Sequence, residues 1–283
     1  MVTKITACSD IHIPSYKGIP ELNTILDRFI EDCKNIVKKE GSPDKVRIVI
    51  AGDIFHNKTN ITNESLIAFN DFLKKLNGIC KTIIIAGNHD YLANNPNRMD
   101  SITPLFYVGD FKNIIYLDRD LNYKSGILID DNIAWCLYST FESFKSPDIE
   151  IEKDKNNKKG LEYTYVGLIH GSVNGATTST NHVTKNALDG AIFKGCDFVI
   201  AGHIHKRQEI KENGVKIVYC SSISQKDFGE TISGHGYVLW DISNKDNITY
   251  SFVDIPNTEG GFYQFSIESL DDISNDFEEL INL

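Results

Sequence analysis

The chain has 283 residues, of which 41% are hydrophobic and 24% charged, and its formal net charge is −10 at pH 7. This composition is ordinary for a globular protein, and the length suffices for one large domain. The acidic balance argues against a protein that binds chiefly the phosphate backbone of nucleic acid, because such proteins are usually basic. No stretch approaches the roughly eighteen apolar residues of a membrane span, so we expect no membrane partner.

The six cysteines are scattered along the chain without a Cys-x-x-Cys pair. We interpret them as reduced thiols and expect a cytoplasmic protein, because disulfide frameworks belong to oxidising compartments. The wealth of Asn, Ile and Lys is typical of AT-rich genomes, viral ones included. For a viral protein the expected compartment is the host cytoplasm.

The first half of the chain alternates apolar runs with amphipathic segments. The apolar runs predict strands at residues 4–8, 46–51 and 82–86. Between them, apolar residues at helical spacing predict helices at residues 21–39 and 63–76, the second with Thr62 or Asn63 as its N-cap. This order of strands and helices is typical of parallel strands joined by helical crossovers.

The second half is richer in short strands. Apolar and β-branched runs predict them at residues 114–117, 126–129, 133–138, 163–170, 198–201, 207–211, 215–219, 236–241 and 250–254. One helix is predicted near residues 185–193, and the polar stretch 146–160 is interpreted as a solvated loop. We therefore expect an α/β or α+β protein with two sheets and outer helices. We assign residues 1–256 to one domain and residues 257–283 to a C-terminal segment.

Polar side chains suited to metal binding follow the apolar runs in five places. They are Asp10 and His12, Asp53, Asn88 and His89, His170, and His203 and His205. In an open α/β sheet the carboxyl ends of parallel strands lie along one edge, where ligands bind. We therefore expect these side chains to converge on one site. A lone histidine at a strand end is usually a surface or capping residue. Here that interpretation would require five histidines to lie at strand ends by chance.

The kinds of side chain limit the metal. Imidazole, carboxylate and amide oxygen without thiolate exclude structural zinc sites and favour Mn²⁺, with Fe, Zn or Mg as alternatives. Residues two apart in an extended chain point to the same side, so Asp10 and His12 can share one ion, whereas the adjacent Asn88 and His89 point apart. A carboxylate shared by two divalent ions would hold them roughly 3.5–4 Å apart, a spacing that clamps a phosphate ester.

Two motifs are specific when taken together. Gly-Asn-His-Asp at residues 87–90 and Gly-His-Ile-His at residues 202–205 resemble those of the calcineurin-like metallophosphoesterases. The resemblance implies a two-sheet β-sandwich flanked by helices, with two bound metal ions. It implies one ion at Asp10, His12, Asp53 and His205, and the other at Asp53, Asn88, His170 and His203. It also implies that a bridging hydroxide attacks phosphorus while His89 protonates the leaving oxygen.

A third motif, Gly-Asp-Ile-Phe-His at residues 52–56, is sharper than the bare Gly-Asp of the superfamily. It is similar to that of the SbcD-type nuclease subunits of double-strand-break repair complexes, as are residues 88–101 and 218–242. The resemblance implies DNA as substrate and an SMC-like ATPase subunit as partner, with a homodimer as a further option. It also implies that His56 lies near the active site. Residues 257–283 could begin a cap domain, although we expect a full cap to be absent.

Other polar residues near these motifs have ordinary alternatives. Arg98 is a candidate substrate phosphate contact, and so is Lys206, but a solvated surface charge explains each as well. Asp90 is expected to orient a loop or a ligand histidine rather than to bind metal. His182 and His235 are interpreted as surface or capping residues.

Three functions are compatible with these residues. The leading hypothesis is a metal-dependent DNA phosphodiesterase, an exonuclease or endonuclease of DNA repair or recombination. The second is a phosphodiesterase or phosphatase of small molecules or nucleotides with the same metal chemistry. The third is a scaffold without metals, disfavoured because every candidate position carries a competent residue. The net charge of −10 does not suit a stand-alone DNA binder, so we expect either a minimal nuclease core or a partner that supplies the grip on DNA.

Overall fold

The computed structural model describes residues 1–95, 98–258 and 260–262. Most of the predicted C-terminal segment, residues 257–283, therefore lies outside the described residues, and its interpretation as the start of a cap domain stays a prediction.

Strands and helices alternate in the first half of the chain, and strands dominate the second. The described strands are β1 (Lys4–Cys8), β2 (Val46–Ala51), β3 (Thr82–Ile85), β4 (Ile114–Tyr116), β5 (Gly126–Asp130), β6 (Ile133–Tyr138), β7 (Thr164–His170), β8 (Phe198–Gly202), β9 (Gln208–Glu212), β10 (Val215–Tyr219), β11 (Gly236–Asp241) and β12 (Thr249–Asp254). The described α-helices are α1 (Ile19–Glu40), α2 (Asn63–Asn77), α3 (Thr103–Val108), α4 (Leu117–Asp120) and α5 (Ile149–Lys158). In this part of the chain no helix has the length and apolar character that crossing a membrane requires.

The strands form two six-stranded sheets, in the orders β12-β11-β1-β2-β3-β4 and β5-β6-β7-β8-β10-β9. In the first sheet β1 to β4 are parallel, and β11 runs antiparallel to β1. In the second sheet β6, β7, β8 and β10 are parallel. The two sheets pack on each other with helices outside, which confirms the predicted two-sheet sandwich.

Strand β2 shows how one short sequence serves two apolar layers. Successive side chains of a strand point to opposite faces of the sheet. Val49 therefore joins the layer between the two sheets, where Trp135 also lies. Ile48 faces the other way and packs beneath α1 and α2 with Phe29 and Phe69. All six residues of β2 are buried, and for this reason the strand is apolar on both faces rather than alternating, apart from the single charged residue Arg47.

The N-terminus of α2 is fixed by a capping box. The Thr62 side chain accepts a hydrogen bond from the backbone N–H of Ser65 at 3.2 Å, and the Thr62 N–H donates to the Ser65 hydroxyl at 3.0 Å. Thr62 is therefore the N-cap, and these two bonds satisfy backbone donors that the first turn would otherwise leave free.

The interpretation of residues 146–160 as a loop is wrong, because they contain helix α5. This helix has few buried residues, so it lacks the apolar periodicity that reveals a helix in sequence. Acidic residues lie in its first turn and lysines in its last, which complements the helix dipole. An ion pair between Asp154 and Lys158 at 3.0 Å adds local support.

The helix predicted near residues 185–193 is also wrong, since only a 3-10 turn forms there, at Gly190–Phe193. The residues before it bond to the loop after β7 instead: the N–H of Leu188 donates to the Ser172 carbonyl at 3.1 Å. Asp189 then caps the turn by accepting from the Ala191 N–H at 2.9 Å. Helices α3 and α4 were not predicted, because helices of 6 and 4 residues are too short to show a period.

A buried ion pair ties the two sheets together. Arg47 on β2 donates from Nε and one terminal nitrogen to both carboxylate oxygens of Asp130 on β5, at 2.6 and 3.1 Å. Lys81 donates to the same carboxylate at 2.6 Å. Burial alone would raise the pKa of Asp130, but the hydrogen bonds from Arg47 and Lys81 outweigh it and lower the pKa.

We predict that Asp130→Ala lowers the free energy of unfolding by about 3–5 kcal/mol, because it leaves Arg47 buried without its partner. Urea unfolding measures the loss, with Asp154→Ala as control, since an exposed helix pair contributes about 0.5 kcal/mol or less. A lowered pKa means that this stabilisation is present above the unfolded pKa of about 4 and fades as the pH falls below it. Equal losses in the two variants would contradict this role.

Candidate metal centre

The predicted site residues meet at the carboxyl ends of strands from both sheets. Asp10 and His12 follow β1, Asp53 follows β2, Asn88 and His89 follow β3, His170 ends β7, and His203 and His205 follow β8. Contacts among these eight residues bring them into one cluster, which we call the metal cluster.

The backbone at the cluster is held in an unusual conformation. Asp10, His12, Asp53 and His203 have φ of +53°, +48°, +53° and +89°. Such left-handed backbone is unfavourable for residues other than glycine and is concentrated at functional sites. It is held here by cross-strand bonds, since the N–H of Asp10 donates to the Gly52 carbonyl and that of His12 to the Asp53 carbonyl, both at 3.0 Å.

Glycine is required where the backbone passes close to the cluster. A Cβ built on Gly87 would lie 2.1 Å from Oδ1 of Asp53, and one built on Gly52 would lie 2.4 Å from Nδ1 of His170. Both distances are far inside van der Waals contact. These glycines are therefore required because a side chain at either position would clash with a predicted ligand.

Three donor atoms converge at the first half of the cluster. Nε2 of His12 and Nε2 of His205 are 3.1 Å apart. Oδ1 of Asp10 lies 3.4 Å from the His205 nitrogen and 3.8 Å from the His12 nitrogen. These three ligand atoms all lie within 4.8 Å of one another, a spacing that one cation can bridge.

Asp53, His170 and His203 form the second half, again with ligand atoms within 4.8 Å. Oδ2 of Asp53 lies 3.2 Å from Nε2 of His170. The Asn88 side-chain oxygen lies 2.7 Å from Nδ1 of His203. Nδ1 of His170 lies 2.7 Å from the Ala51 carbonyl and donates to it, which turns Nε2 of that ring toward the cluster.

Asp53 lies between the two halves. Its Oδ2 is 3.6 Å from Nε2 of His12 in the first half and 3.2 Å from Nε2 of His170 in the second. Its Oδ1 accepts the backbone N–H of His89 at 2.7 Å. A third group of close ligand atoms joins His12, Asp53 and His89, so Asp53 belongs to two of the three groups.

The pKa values of the four ligand histidines fall into two groups, set by burial and by the neighbouring carboxylates. Burial lowers the pKa of His12 to about 3 and that of His203 to about 4. For His170 and His205 burial acts in the same direction, but Asp53 and Asp10 outweigh it and raise the pKa to about 9 and about 10. Positive charge is therefore stabilised beside each carboxylate, which is the electrostatic condition that divalent cations meet.

The residues present fit a pair of metal ions. Among the described residues, the buried Nε2 of His170 has no hydrogen-bond partner although it faces the Asp53 carboxylate. A buried polar atom without a partner costs about 1–3 kcal/mol, and a cation at this position would remove that cost. The donors are imidazole nitrogens and carboxylate and amide oxygens, as hard or borderline divalent ions prefer.

His89 is placed beside the metal cluster by its own backbone contact. Its Nδ1 lies 2.5 Å from the carbonyl oxygen of His56 and donates to it, which leaves Nε2 for other partners. The His89 ring stands edge-on to that of His12, with centroids 4.8 Å apart. The His56 ring is exposed and lies 5.8 Å from that of His12, which places His56 at the mouth of the site, and its role as a substrate contact stays a prediction.

Asp90 braces the loops that carry the ligands. Its carboxylate is buried and accepts backbone N–H groups of Ile54, Phe55 and Gly87 at 2.8–3.2 Å. Burial, with repulsion from Asp53, raises the pKa of Asp90 to about 8. Its contacts agree with the predicted orienting role.

The remaining polar candidates lie farther out. Arg98 is exposed, and within the described residues no contact of its side chain with the metal cluster is seen. Its role as a phosphate contact stays a prediction. Lys206 donates to the Asn181 side chain at 2.7 Å. His182 is exposed, whereas the interpretation of His235 as a surface residue is wrong, because it is 7% exposed.

Sequence reasoning missed two residues at the site. Glu230 lies 2.5 Å from Nδ1 of His205, and Lys226 donates to the carbonyl of Ile11 at 2.6 Å. Both lie in the segment 218–242 that resembles the SbcD-type nucleases. That segment was the available signal, but nothing in its spacing connects an acid at position 230 with a histidine 25 residues earlier.

A β-sandwich with imidazoles and carboxylates gathered at its strand ends is an arrangement suited to a metal-dependent hydrolase. The chain belongs to the calcineurin-like phosphoesterase family, which it matches over residues 3–207. That range contains all eight residues of the metal cluster, and the predicted resemblance is confirmed.

The chain is similar to proteins of viruses and bacteria. A protein of Acanthamoeba polyphaga mimivirus is 34% identical over 84% of this chain, which spans only 17% of that protein. The SbcD component of the nuclease SbcCD of Staphylococcus epidermidis is 24% identical over 98% of this chain and 74% of its own length. A dimetal phosphatase of Danio rerio has the same fold, with a TM-score of 0.53, 10% identity, and coverage of 85% of this chain and 92% of that one.

We predict that Asp90→Ala costs roughly 3 kcal/mol or more of unfolding free energy, because it orphans three buried backbone donors. Asp90→Asn keeps one acceptor oxygen and should lose less. Chemical denaturation measures both changes, and Asp110→Ala, at an exposed position, should stay within about 0.5 kcal/mol of the parent. An Asp90→Ala protein as stable as this control would show that the loops do not depend on the carboxylate.

Proposed function

We propose that the chain is a dimetal phosphodiesterase that hydrolyses DNA phosphodiester bonds, as an exonuclease or endonuclease in repair or recombination. One observation supports the metal chemistry: seven candidate ligands from five strand ends lie in one cluster, and one of them, Asp53, has its carboxylate beside both halves. The choice of DNA is supported by Gly-Asp-Ile-Phe-His at residues 52–56 and by the similarity to the SbcD component of nuclease SbcCD along nearly the whole chain.

Two divalent cations, Mn²⁺ first and Fe, Zn or Mg as alternatives, would be held in adjoining ligand sets. The first set is Asp10, His12, Asp53 and His205. The second set is Asp53, Asn88, His170 and His203. When bound, the ions supply positive charge for the phosphate and an activated water as nucleophile. The protein fixes these ligands through strained loops, close glycines and the Asp90 brace.

His89 would act as the acid for the leaving oxygen. Its Nδ1 is committed to the His56 carbonyl, so the ring can carry a transferable proton only on Nε2. The backbone bond to Asp53 holds the residue at the rim of the metal cluster. His56 and Arg98 are proposed as substrate contacts at the same mouth.

Two cavities that open at the metal cluster suit a substrate with several phosphates. One of about 370 Å³ is lined by His205, Lys206 and Arg207. The other, of about 390 Å³, is lined by His12, His56 and Lys226, among others. Arg207 is paired with Asp254, and Lys226 donates to the Ile11 carbonyl, so neither is open to a phosphate. The exposed lysines are Lys206 in the first cavity and Lys17 in the second, and cations on both flanks of the cluster match a phosphodiester chain better than a single phosphate.

Partners and compartment complete the proposal. Because the chain carries a net charge of −10, we propose that an SMC-like ATPase partner contributes most of the DNA-binding surface. A homodimer is the further option, and the proposed compartment is the cytoplasm, that of the host if the protein is viral. We keep residues 1–256 as the catalytic domain and residues 257–283 as a C-terminal segment.

The test of substrate class compares two substrates. Purified chain with Mn²⁺ should cleave linear DNA as well as bis-p-nitrophenyl phosphate, at least when a candidate ATPase is present. Turnover of the small ester with DNA left intact in every condition would favour a small-molecule or nucleotide phosphodiesterase. A steep salt dependence of DNA binding by the isolated chain would contradict the proposal that a partner supplies most of the DNA-binding surface.

Two substitutions separate metal binding from proton transfer. His89→Asn should keep both ions and lower turnover by about 10²–10⁴-fold, the usual contribution of an acid catalyst. Asp53→Ala should lose both ions together. Metal content by mass spectrometry and turnover of bis-p-nitrophenyl phosphate are measured on the same samples, with His182→Asn as the matched histidine control. Loss of metal from His89→Asn would overturn the role given to His89.

A further inference from the structure

Glu230 makes the closest polar contact to a predicted ligand histidine from outside the metal cluster. Its Oε1 lies 2.5 Å from Nδ1 of His205 and accepts a hydrogen bond from it. The opposite nitrogen of the ring, Nε2, is the atom that faces Asp10 at 3.4 Å and His12 at 3.1 Å. One edge of the ring is therefore bound to Glu230 and the other edge is directed into the cluster.

Glu230 is itself held in place on its second oxygen. Oε2 accepts the Ser222 hydroxyl at 3.1 Å and the backbone N–H of Lys226 at 2.9 Å. His235 packs beside this group, with Nδ1 3.0 Å from the Ser222 hydroxyl oxygen and Nε2 donating to the Thr231 carbonyl at 2.6 Å. Glu230 is only 7% exposed, so its carboxylate has little freedom to leave His205 for solvent.

The hydrogen bond fixes which nitrogen of His205 carries a proton. A carboxylate accepts but does not donate, so the proton of the neutral ring sits on Nδ1 and the lone pair on Nε2. A partner of this kind also makes the ring a better electron donor and restricts its rotation. Glu230 lies beyond residues 3–207, which match the family, so a later segment of the chain supports a ligand inside the matched region.

We propose that Glu230 is a positioning residue for metal binding: it orients His205 and fixes its Nδ1–H tautomer, and so sets the affinity of the ion held by Asp10, His12, Asp53 and His205. The ion held by Asp53, Asn88, His170 and His203 does not depend on it. This inference rests on the proposed metal centre and is independent of the substrate.

Glu230→Gln tests the proposal, because it keeps the size of the side chain and removes its charge. Calorimetric titration with Mn²⁺ should show two ions per parent chain, and in the variant one of them weakened by about 10–100-fold with the other unchanged. At Mn²⁺ concentrations that fill both sites of the parent, the electron paramagnetic resonance spectrum should change from a coupled pair to an isolated ion. Asp227→Asn is the matched control, since it removes one charge from an exposed position of the same loop.

Folding of the variant is checked by its thermal transition. If Glu230→Gln does not fold, Ser222→Ala removes one support of the carboxylate and should weaken the same ion by a smaller factor. Nitrogen-15 spectra of the histidines in the parent protein loaded with diamagnetic Zn²⁺ must show the proton of His205 on Nδ1. Parent affinities for both ions in a folded Glu230→Gln, or a proton on Nε2 of the neutral ring, would overturn the proposal. A parent chain that binds no pair of ions would instead overturn the proposed function.

Discussion

The constraint on which the structure depends is the confinement of two carboxylates, Asp10 and Asp53, in one buried place. They are 0% and 2% exposed, and each lies within 4.0 Å of imidazole nitrogens. Like charges out of water are unfavourable unless positive charge stands between them. Parallel strands from two sheets end here, so their loops can deliver that many ligands to one place. The sandwich is thus the means by which residues almost two hundred positions apart, such as Asp10 and His203, come into hydrogen-bonding contact.

The surroundings of the carboxylates keep the ligands in place before any ion arrives. Left-handed backbone at Asp10 and Asp53 directs side chains that an ordinary loop would send elsewhere, and Asp90 fastens the loops after β2 and β3 to each other. Such preorganisation places the cost of strained backbone on folding rather than on metal binding. Glu230, which lies beyond the residues that match the family, restrains the ring of His205 in the same way. The site therefore depends on contacts made along most of the described chain.

Much of the fold and of the site could be predicted, because the signals are local. Strands buried on both faces are continuous apolar runs, and the ligands follow directly after them, as Asp53 follows β2. The metal assignments themselves stay predictions, although the residues do converge. What could not be predicted rests on tertiary contacts: the bond between Glu230 and His205 joins two loops, and His235 is buried against Ser222 and Thr231. Helix α5 was missed because charge placement, not an apolar face, marks it, and residues 185–193 were misassigned because their backbone bonds to a distant loop.

Anomalous diffraction from crystals grown with Mn²⁺ tests the central claim most directly. The account predicts two anomalous peaks at the metal cluster, one beside Asp10, His12 and His205 and the other beside Asn88, His170 and His203, with Asp53 reaching both. A single peak that Asp53 does not touch, or peaks elsewhere with the cluster free of metal, would contradict it.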